Sequence, residues 1–433
     1  MANENSVNNV SPETKKRNPW FWIPTLYYAQ GIPYVIVMTV SVIMYKRLGI
    51  SNTDIALYTS WLYLPWVIKP LWSPFVDLIG KKRNWIIFMQ ILIGGGLAGV
   101  ALTIPISNFF QYSLAFLWLL AFSSATHDIA ADGFYMLGLT TGEQSFFVGI
   151  RSTFYRLSMI TGQGLLVILA GFLETSTGNI PLAWSITFFI LAGLFGLFFI
   201  YHKFILPYPK NDVPAKKDDS SSILSEFVKT FAAFFKRKNI GVILGFILLY
   251  RLAESQLVKI AAPFLLDSRA EAGIGLTTSE LGLIYGTIGI AALTLGGILG
   301  GILISKNGLK YWLWPMVFSI NLPNLGYVYL SFAQPSELWI VGFIVAFEQL
   351  GYGFGFTAYM LYMIYISDGA YKTSHYAIAT GFMALGMMLP GMWSGWLQEL
   401  IGYQNFFIWV CIATIPGFIM AKLIKVEPEF GKK

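Results

Sequence analysis

The sequence predicts an all-α integral membrane protein of twelve transmembrane helices, arranged as two six-helix bundles joined by a cytoplasmic linker. Three observations carry that prediction. Of 433 residues, 56% are hydrophobic and only 12% are Asp, Glu, Lys or Arg, against roughly a quarter in soluble domains, so there is too little charge to coat water-facing globules. Apolar stretches of spanning length, ~20 residues, follow one another along the whole chain. The longest polar break, Pro207 to Lys238, falls midway. The same composition excludes a disordered chain, and Cys411, a lone cysteine in an apolar run, excludes a disulfide scaffold.

Residues 1–19 read as a polar cytoplasmic tail leading into an apolar stretch with no small-residue cleavage site, hence a retained first helix and not a signal peptide. The N-terminal bundle, 20–206, has spans starting near residues 20, 54, 84, 111, 146 and 181. The C-terminal bundle, 239–425, has spans starting near 240, 278, 311, 336, 374 and 404, and 426–433 is a cytoplasmic tail. Linker 207–238 opens with PYPKNDVPAKKDDSSS, a loop composition. It then sets Ile223, Leu224, Phe227, Val228, Phe231, Phe234 and Phe235 on one helical face, as in a helix lying in the membrane interface, with Ser222 as its expected N-cap. With the N-terminus inside, twenty-one Lys and Arg fall in cytoplasmic segments and three, Lys46, Arg47 and Arg269, in outer loops. Both termini are therefore expected in the cytoplasm. The net charge of +7 is then an expression of topology, and no nucleic-acid partner is expected.

The halves echo each other. Asp77-Leu-Ile-Gly80 after the second span recurs as Ser305-Lys-Asn-Gly308 after the eighth, and Thr53-Asp-Ile-Ala-Leu57 resembles Ser279-Glu-Leu-Gly-Leu283. An even number of helices per half makes the repeat parallel. This architecture, with Ser73-Pro-Phe-Val-Asp77-Leu-Ile-Gly80-Lys81-Lys82-Arg83, resembles the major facilitator superfamily. By that resemblance Asp77, Gly80, Lys81 and Arg83 brace a cytoplasmic gate, with Ser73 standing where the signature has Gly.

Function is sought in the ionisable residues inside the membrane, each costing roughly 2.5 to 3.5 kcal/mol at a helix centre. They are Lys69, His127, Asp128, Asp132, Arg151, Arg156, Arg251, Glu254, Lys259 and Glu348. Setting His127 aside, five cations face four carboxylates. That surplus suits an anionic solute, and protonatable carboxylates beside Arg can couple its entry to protons. Asp128 and Asp132 share a face of the fourth span; Arg151 and Arg156, five apart on the fifth, point about 140° away from one another. One arginine is expected on the carboxylates and the other on solute or gate, the alternative being a structural ion network. Arg251 and Glu254 share a face at i, i+3 and either serve the site or neutralise each other. Lys259 binds solute or snorkels to the interface. Lys69, between Pro65 and Pro70, is a ligand group or is held by carbonyls that the prolines free. Glu348 has no basic neighbour in its helix and is the best candidate for a titrating carboxylate, with Gln349 beside it on the solute side. Gly351, Gly353 and Gly355 read as packing positions, since no strand precedes them as in a phosphate loop. Tyr28, Tyr34 and Trp66 are candidates to stack on a sugar ring. No Cys/His pairs stand at ligand spacing, so no metal and no cofactor are expected.

A more specific resemblance is to the muropeptide permease (AmpG) family and its relatives, the acetyl-coenzyme A transporters. It rests on Tyr28-Ala-Gln30-Gly31-Ile-Pro33, Leu64-Pro65-Trp-Val-Ile-Lys69-Pro, Ala125-Thr-His-Asp128-Ile-Ala-Ala-Asp132, Tyr155-Arg156-Leu157, Leu249-Tyr250-Arg251-Leu-Ala-Glu254, Pro263-Phe-Leu-Leu-Asp267 and Phe347-Glu348. His127 replaces a usual Gln, and Tyr135 stands where an Arg is usual. The resemblance implies proton-coupled import of anhydro-muropeptides across a bacterial inner membrane for wall recycling, by a monomer that is not an enzyme. Tyr28, Gln30, Trp66, Lys69, Arg151, Arg156, Arg251, Lys259 and Gln349 are then solute-binding candidates, and Asp128, Asp132, Glu254 and Glu348 proton-coupling ones. The rivals are another anionic glycan or acetyl-coenzyme A as solute, a drug/proton antiporter, and a membrane prenyltransferase. Thr161-Gly162-Gln163-Gly164 lacks the Gly-Pro signature of the antiporters, and no second Asp-rich motif accompanies Asp128 and Asp132.

Overall fold

The structure is a computed structural model and describes residues 17–213, 220–369 and 372–432. No strand occurs among them. Helix α1 (Pro19–Arg47) carries a π-helical turn at Ile36–Val40. The second span is two helices, α2 (Asn52–Trp61), whose first turn Ser51 caps by accepting the Asp54 amide, and α3 (Leu64–Ile79), which opens with Pro65 in its first turn. Then follow α4 (Lys82–Thr103), α5 (Phe109–Gly138), α6 (Gly142–Thr177) and α7 (Ile180–Ile205). The fifth span starts before the expected residue 146 because Thr140 and Glu143 form a capping box.

In the linker, α8 (Ser220–Phe235) is already helical upstream of Ser222, so Ser222 is not its N-cap, and the side chains of 220–227 fall outside the described part. The second half comprises α9 (Ile240–Leu249), α10 (Leu252–Leu266), α11 (Thr278–Asn307), α12 (Leu309–Asn321), α13 (Leu325–Ala333), α14 (Leu338–Ser367) and α15 (Ser374–Leu423). Among the described residues, nine helices are long and apolar enough to cross a membrane, against the twelve expected. The difference has a local cause. The second span is interrupted at Leu62 and Tyr63, a 3-10 turn at Leu322–Asn324 separates α12 from α13, and α15 runs through a break at Gly402, where φ is 77°.

Large apolar side chains such as Phe172, Leu197, Phe343 and Trp339 point outward, as a lipid-facing surface requires. Within halves, α4 packs on α5 and α7, α1 on α6, and α14 on α11 and α12. Between halves, α15 packs on α2 and α3, and the π-helical turns Ile160–Leu165 of α6 and Gly282–Ile288 of α11 meet directly. At that crossing a Cβ on Gly286 would stand 2.6 Å from Gly164 Cα, so only glycine allows the two backbones so close.

The core is divided accordingly. Its largest cluster joins both halves, Ile43 and Trp184 from the first with Phe264 and Phe407 from the second. Two further clusters stay within one half each, around Trp22 and Phe134 in the first and around Phe246 and Tyr359 in the second. The halves are thus welded at one face and parted toward the face that carries the linker.

Candidate functional site

In the first half the two carboxylates of α5 each hold a cation. Asp128 accepts from Lys69 Nζ and from Gln30 Nε2. The partner of Lys69 is thus a carboxylate, not the carbonyls its flanking prolines free. Asp132 accepts from Tyr27 at 3.2 Å and pairs with Arg151 at 3.3 Å. The Arg151 guanidinium also donates to the Tyr27 hydroxyl and lies over the rings of Tyr27 and Tyr135, 4.7 and 4.9 Å from their centroids. Tyr135 therefore faces Arg151 with a π surface. Arg156 points away from this pair, as the helical angle requires, and donates across the halves to Thr294 at 3.4 Å.

The second half is wired differently. The chain leaves the helix at Tyr250 and Arg251, where Arg251 takes φ −108° and ψ 21° as N-cap of α10. The break places Glu254 in the first turn of a new helix, and no Arg251–Glu254 ion pair forms among the described residues. Instead Arg251 donates to Tyr352 and stacks over Phe356 at 4.8 Å. Tyr352 and Phe356 stand at i, i+4 on α14, a spacing that could have identified this ring pair in advance. Glu254 Oε2 is buried without a partner. Glu348 accepts from Gln349 Nε2 at 2.9 Å, and its electrostatic neighbours include Glu254 and Tyr327. The Tyr327 hydroxyl and both side-chain polar atoms of Asn324 are likewise buried and unpartnered.

Lys259 does not snorkel. It is 1% exposed, donates to Thr59 on α2 at 2.9 Å and lies 5.2 Å from the Tyr63 ring centroid. Tyr28 donates to Thr161 at 2.8 Å and packs on Phe198, within the first half.

Two adjoining cavities open between the halves. The larger, about 730 Å³, is lined by Arg156 and Arg251 from opposite halves with Tyr34, Tyr155, Tyr352 and Thr357, and no Asp or Glu is among the described residues of its wall. It reaches Gly431 in the C-terminal tail, so it runs toward the linker face. The smaller, about 300 Å³, shares Tyr34 and Arg251 and adds Tyr63, Trp66, Lys69 and Asp128. Tyr34 and Trp66 meet edge to face at 5.3 Å.

The opposite face is latched by polar contacts. Lys46 pairs with Asp267 at 2.6 Å and donates to Asn52 at 3.0 Å; Asn52 donates to Gln398 at 2.6 Å, and Tyr403 to Asp267 at 2.5 Å. Thr53 donates through its amide and hydroxyl to Glu399. Glu174 receives Arg47 from its own half at 2.9 Å and Thr278 from the other at 2.7 Å. Of these residues the sequence singles out the cations Lys46 and Arg47, Thr53 in the internal echo and Asp267 in the Pro263–Asp267 motif; nothing in it marks Asn52, Glu174, Thr278, Gln398, Glu399 or Tyr403.

On the linker face the Asp77 side chain falls outside the described part. Gly80 ends α3 in extended backbone and exposed Lys81 precedes α4. Arg83 donates to the carbonyl of Lys203 at 2.5 Å and lies 3.9 Å from the Tyr208 ring centroid, while Asp212 accepts the amides of Lys82 and Arg83. These residues fasten the start of the linker to α4 within the first half.

The family model described as Major Facilitator Superfamily matches residues 26–392. The anhydromuropeptide permease of Escherichia coli (strain K12) is 26% identical over 421 residues, covering 94% of this chain and 80% of that protein. The AmpG 4 sequence of Rickettsia felis is 28% identical over 422 residues, covering 94% and 96%. Among solved structures, a D-xylose-proton symporter superposes with TM-score 0.69 at 13% identity, covering 96% of this chain and 99% of that one, a likeness of fold alone.

Proposed function

Since the chain belongs to the Major Facilitator Superfamily, we propose that it is a secondary transporter that imports an anionic solute with protons by alternating access, and that the solute is an anhydro-muropeptide. One observation carries the anionic class: Arg156 and Arg251 converge from opposite halves on a cavity that has no carboxylate among the described residues of its wall. Neither guanidinium is in an ion pair among the described residues, Arg156 resting on Thr294 and Arg251 on Tyr352 and Phe356, so both can receive an anion, and their planar forks suit carboxylates. Tyr34, Trp66 and Tyr63 beside them offer ring faces to a saccharide. The name of the E. coli relative favours the muropeptide within that class.

Proton coupling is assigned to the second half. Asp128 and Asp132 already hold Lys69 and Arg151, so Glu254 and Glu348, buried with no cation paired to either among the described residues, are the carboxylates that a proton would relieve. The bias of Lys and Arg supports a cytoplasmic side for both termini and the linker, and the permease relatives favour a bacterial inner membrane. The arrangement is then open inward and latched outward, with two bundles, 20–206 and 239–425, as the moving bodies.

A thermal-shift panel on the purified chain tests the solute, because a selective ligand stabilises by mass action. Anhydro-muropeptide is expected to raise the midpoint while simple sugars and cationic drugs do not. A shift with acetyl-coenzyme A alone would move the assignment to that solute, and a shift with cationic drugs alone would reject the anionic class.

A further inference from the structure

Away from the solute cavities, a third cavity of about 390 Å³ lies at the linker face of the second half. Its wall combines Arg237 and Lys238 from the end of the linker, Lys425 from beyond α15, and Tyr365 with aliphatic side chains of α9 and α15. Among the described residues no Asp or Glu lines it. Asp368 is the acidic residue beside Arg237, and the contact is to its backbone carbonyl, at 2.9 Å; its exposed carboxylate pairs with Lys372 at 3.5 Å. Arg237 also contacts His375 Nδ1 at 2.7 Å, which holds the guanidinium in place, yet its Nε is buried with no partner.

A second feature points the same way. The cavity sits at the N-terminus of α9, where Asn239 has φ 62° and gives no side-chain cap. The positive end of that helix dipole therefore adds to three side-chain cations around one space. Positive charge at this face is expected of any chain with this topology. A walled recess in which three cations converge at the start of a helix, with apolar side chains alongside, is more than that bias requires.

We propose that this recess binds a phosphate-bearing anion, with the three cations taking the phosphate and the aliphatic wall taking an attached glycerol backbone. The chemistry is that of an anionic phospholipid headgroup or of a free phosphate. The amphipathic α8, which ends at the recess and packs Phe234 and Phe235 on Phe382, would lie in the same headgroup layer. The site is independent of the transported solute.

The test uses thermal unfolding of the full chain in detergent with added short-chain phosphatidylglycerol, phosphatidylcholine or inorganic phosphate, on wild type and on the K238Q/K425Q double variant. Both lysines are exposed or peripheral, so the variant keeps its fold. Phosphatidylglycerol, and not phosphatidylcholine, is expected to raise the wild-type midpoint, and the variant is expected to need about thirtyfold more of it for the same shift. Stabilisation by inorganic phosphate as strong as by phosphatidylglycerol, and lost in the variant, assigns the site to the free ion. Equal response of wild type and variant to phosphatidylglycerol, an equal response to phosphatidylcholine, or no response to any of the three overturns the proposal.

Discussion

Lys46 at the end of α1 and Asp267 at the end of α10 form an ion pair across the two halves, 2.6 Å long and largely shielded, with side-chain exposures of 17% and 12%. Asp267 also accepts from Tyr403, and Lys46 donates to Asn52, so one pair anchors a four-residue lattice that closes the outer face. Removing one partner strands the other in a partly desolvated place. Asp267→Asn is expected to shift the balance toward the outward-open form by about 1–2 kcal/mol, a five- to thirtyfold change. A cysteine placed at Thr53, in a Cys411→Ala background, would then react faster with an impermeant maleimide. Exchanging the charges, Lys46→Asp with Asp267→Lys, is expected to slow it again; unchanged reactivity in the single variant would show that the pair does not hold the latch.

The latch also needs close backbone approach. A Cβ on Gly395 would stand 2.8 Å from Ala56 Cβ and against the Asn52 backbone. Gly395→Val is therefore expected to wedge α15 off α2 and to raise reactivity at the Thr53 position at least as much as Asp267→Asn does. If that variant folds and labels like the parent, the two helices are not in contact when the outer face is closed.

Arg156 and Arg251 differ in how they are held, and the difference is measurable. Alanine at either place is expected to weaken binding of the anionic solute ten- to a hundredfold. Arg156 contacts a single hydroxyl, so lysine should restore much of that loss; Arg251 stacks on Phe356 and bonds to Tyr352, so lysine should restore little there. Isothermal titration of the four variants checks this, and equal rescue at both sites would make charge alone the governing term.

Glu348→Gln is expected to abolish uptake driven by an imposed pH gradient while leaving counterflow exchange of labelled solute measurable. The glutamine keeps the hydrogen-bonding shape beside Gln349 but cannot exchange a proton. Gradient-driven uptake at the parent rate would move the coupling site to Glu254 or to α5, or remove protons from the mechanism.

Apolar spans, the midpoint break and the intramembrane charges were legible in the sequence because lipid imposes strong, local rules on composition. Pairing was not, because it depends on tertiary approach. Nothing along α3 says that Lys69 reaches Asp128, and the i, i+3 spacing of Arg251 and Glu254 misleads because the helix breaks between α9 and α10. The latch was hidden for another reason: Asn52, Gln398 and Tyr403 are neutral residues near span ends, where such residues are ordinary. One signal was available. Lys46, Arg47 and Arg269 are the cations that defy the charge bias, and each has a specific partner, Asp267, Glu174 and the carbonyls of Gln334 and Pro335.

Where α6 crosses α11, Gly164 and Gly286 bring main chain against main chain, with the Thr287 hydroxyl beside Gly164 and the Gln163 side chain donating to the Tyr285 carbonyl at 3.5 Å. A crossing of that kind has few rotamers to rearrange and no large interlocked knobs to lift out of holes. It behaves as a fulcrum, not as a ratchet, and relative tilting of the halves there meets a smooth profile while the resistance is concentrated in the polar lattice at one end. Turnover frequency and its temperature dependence would then be governed at the rim of the molecule, and Gly286 would set how freely the motion runs without altering how tightly solute is held.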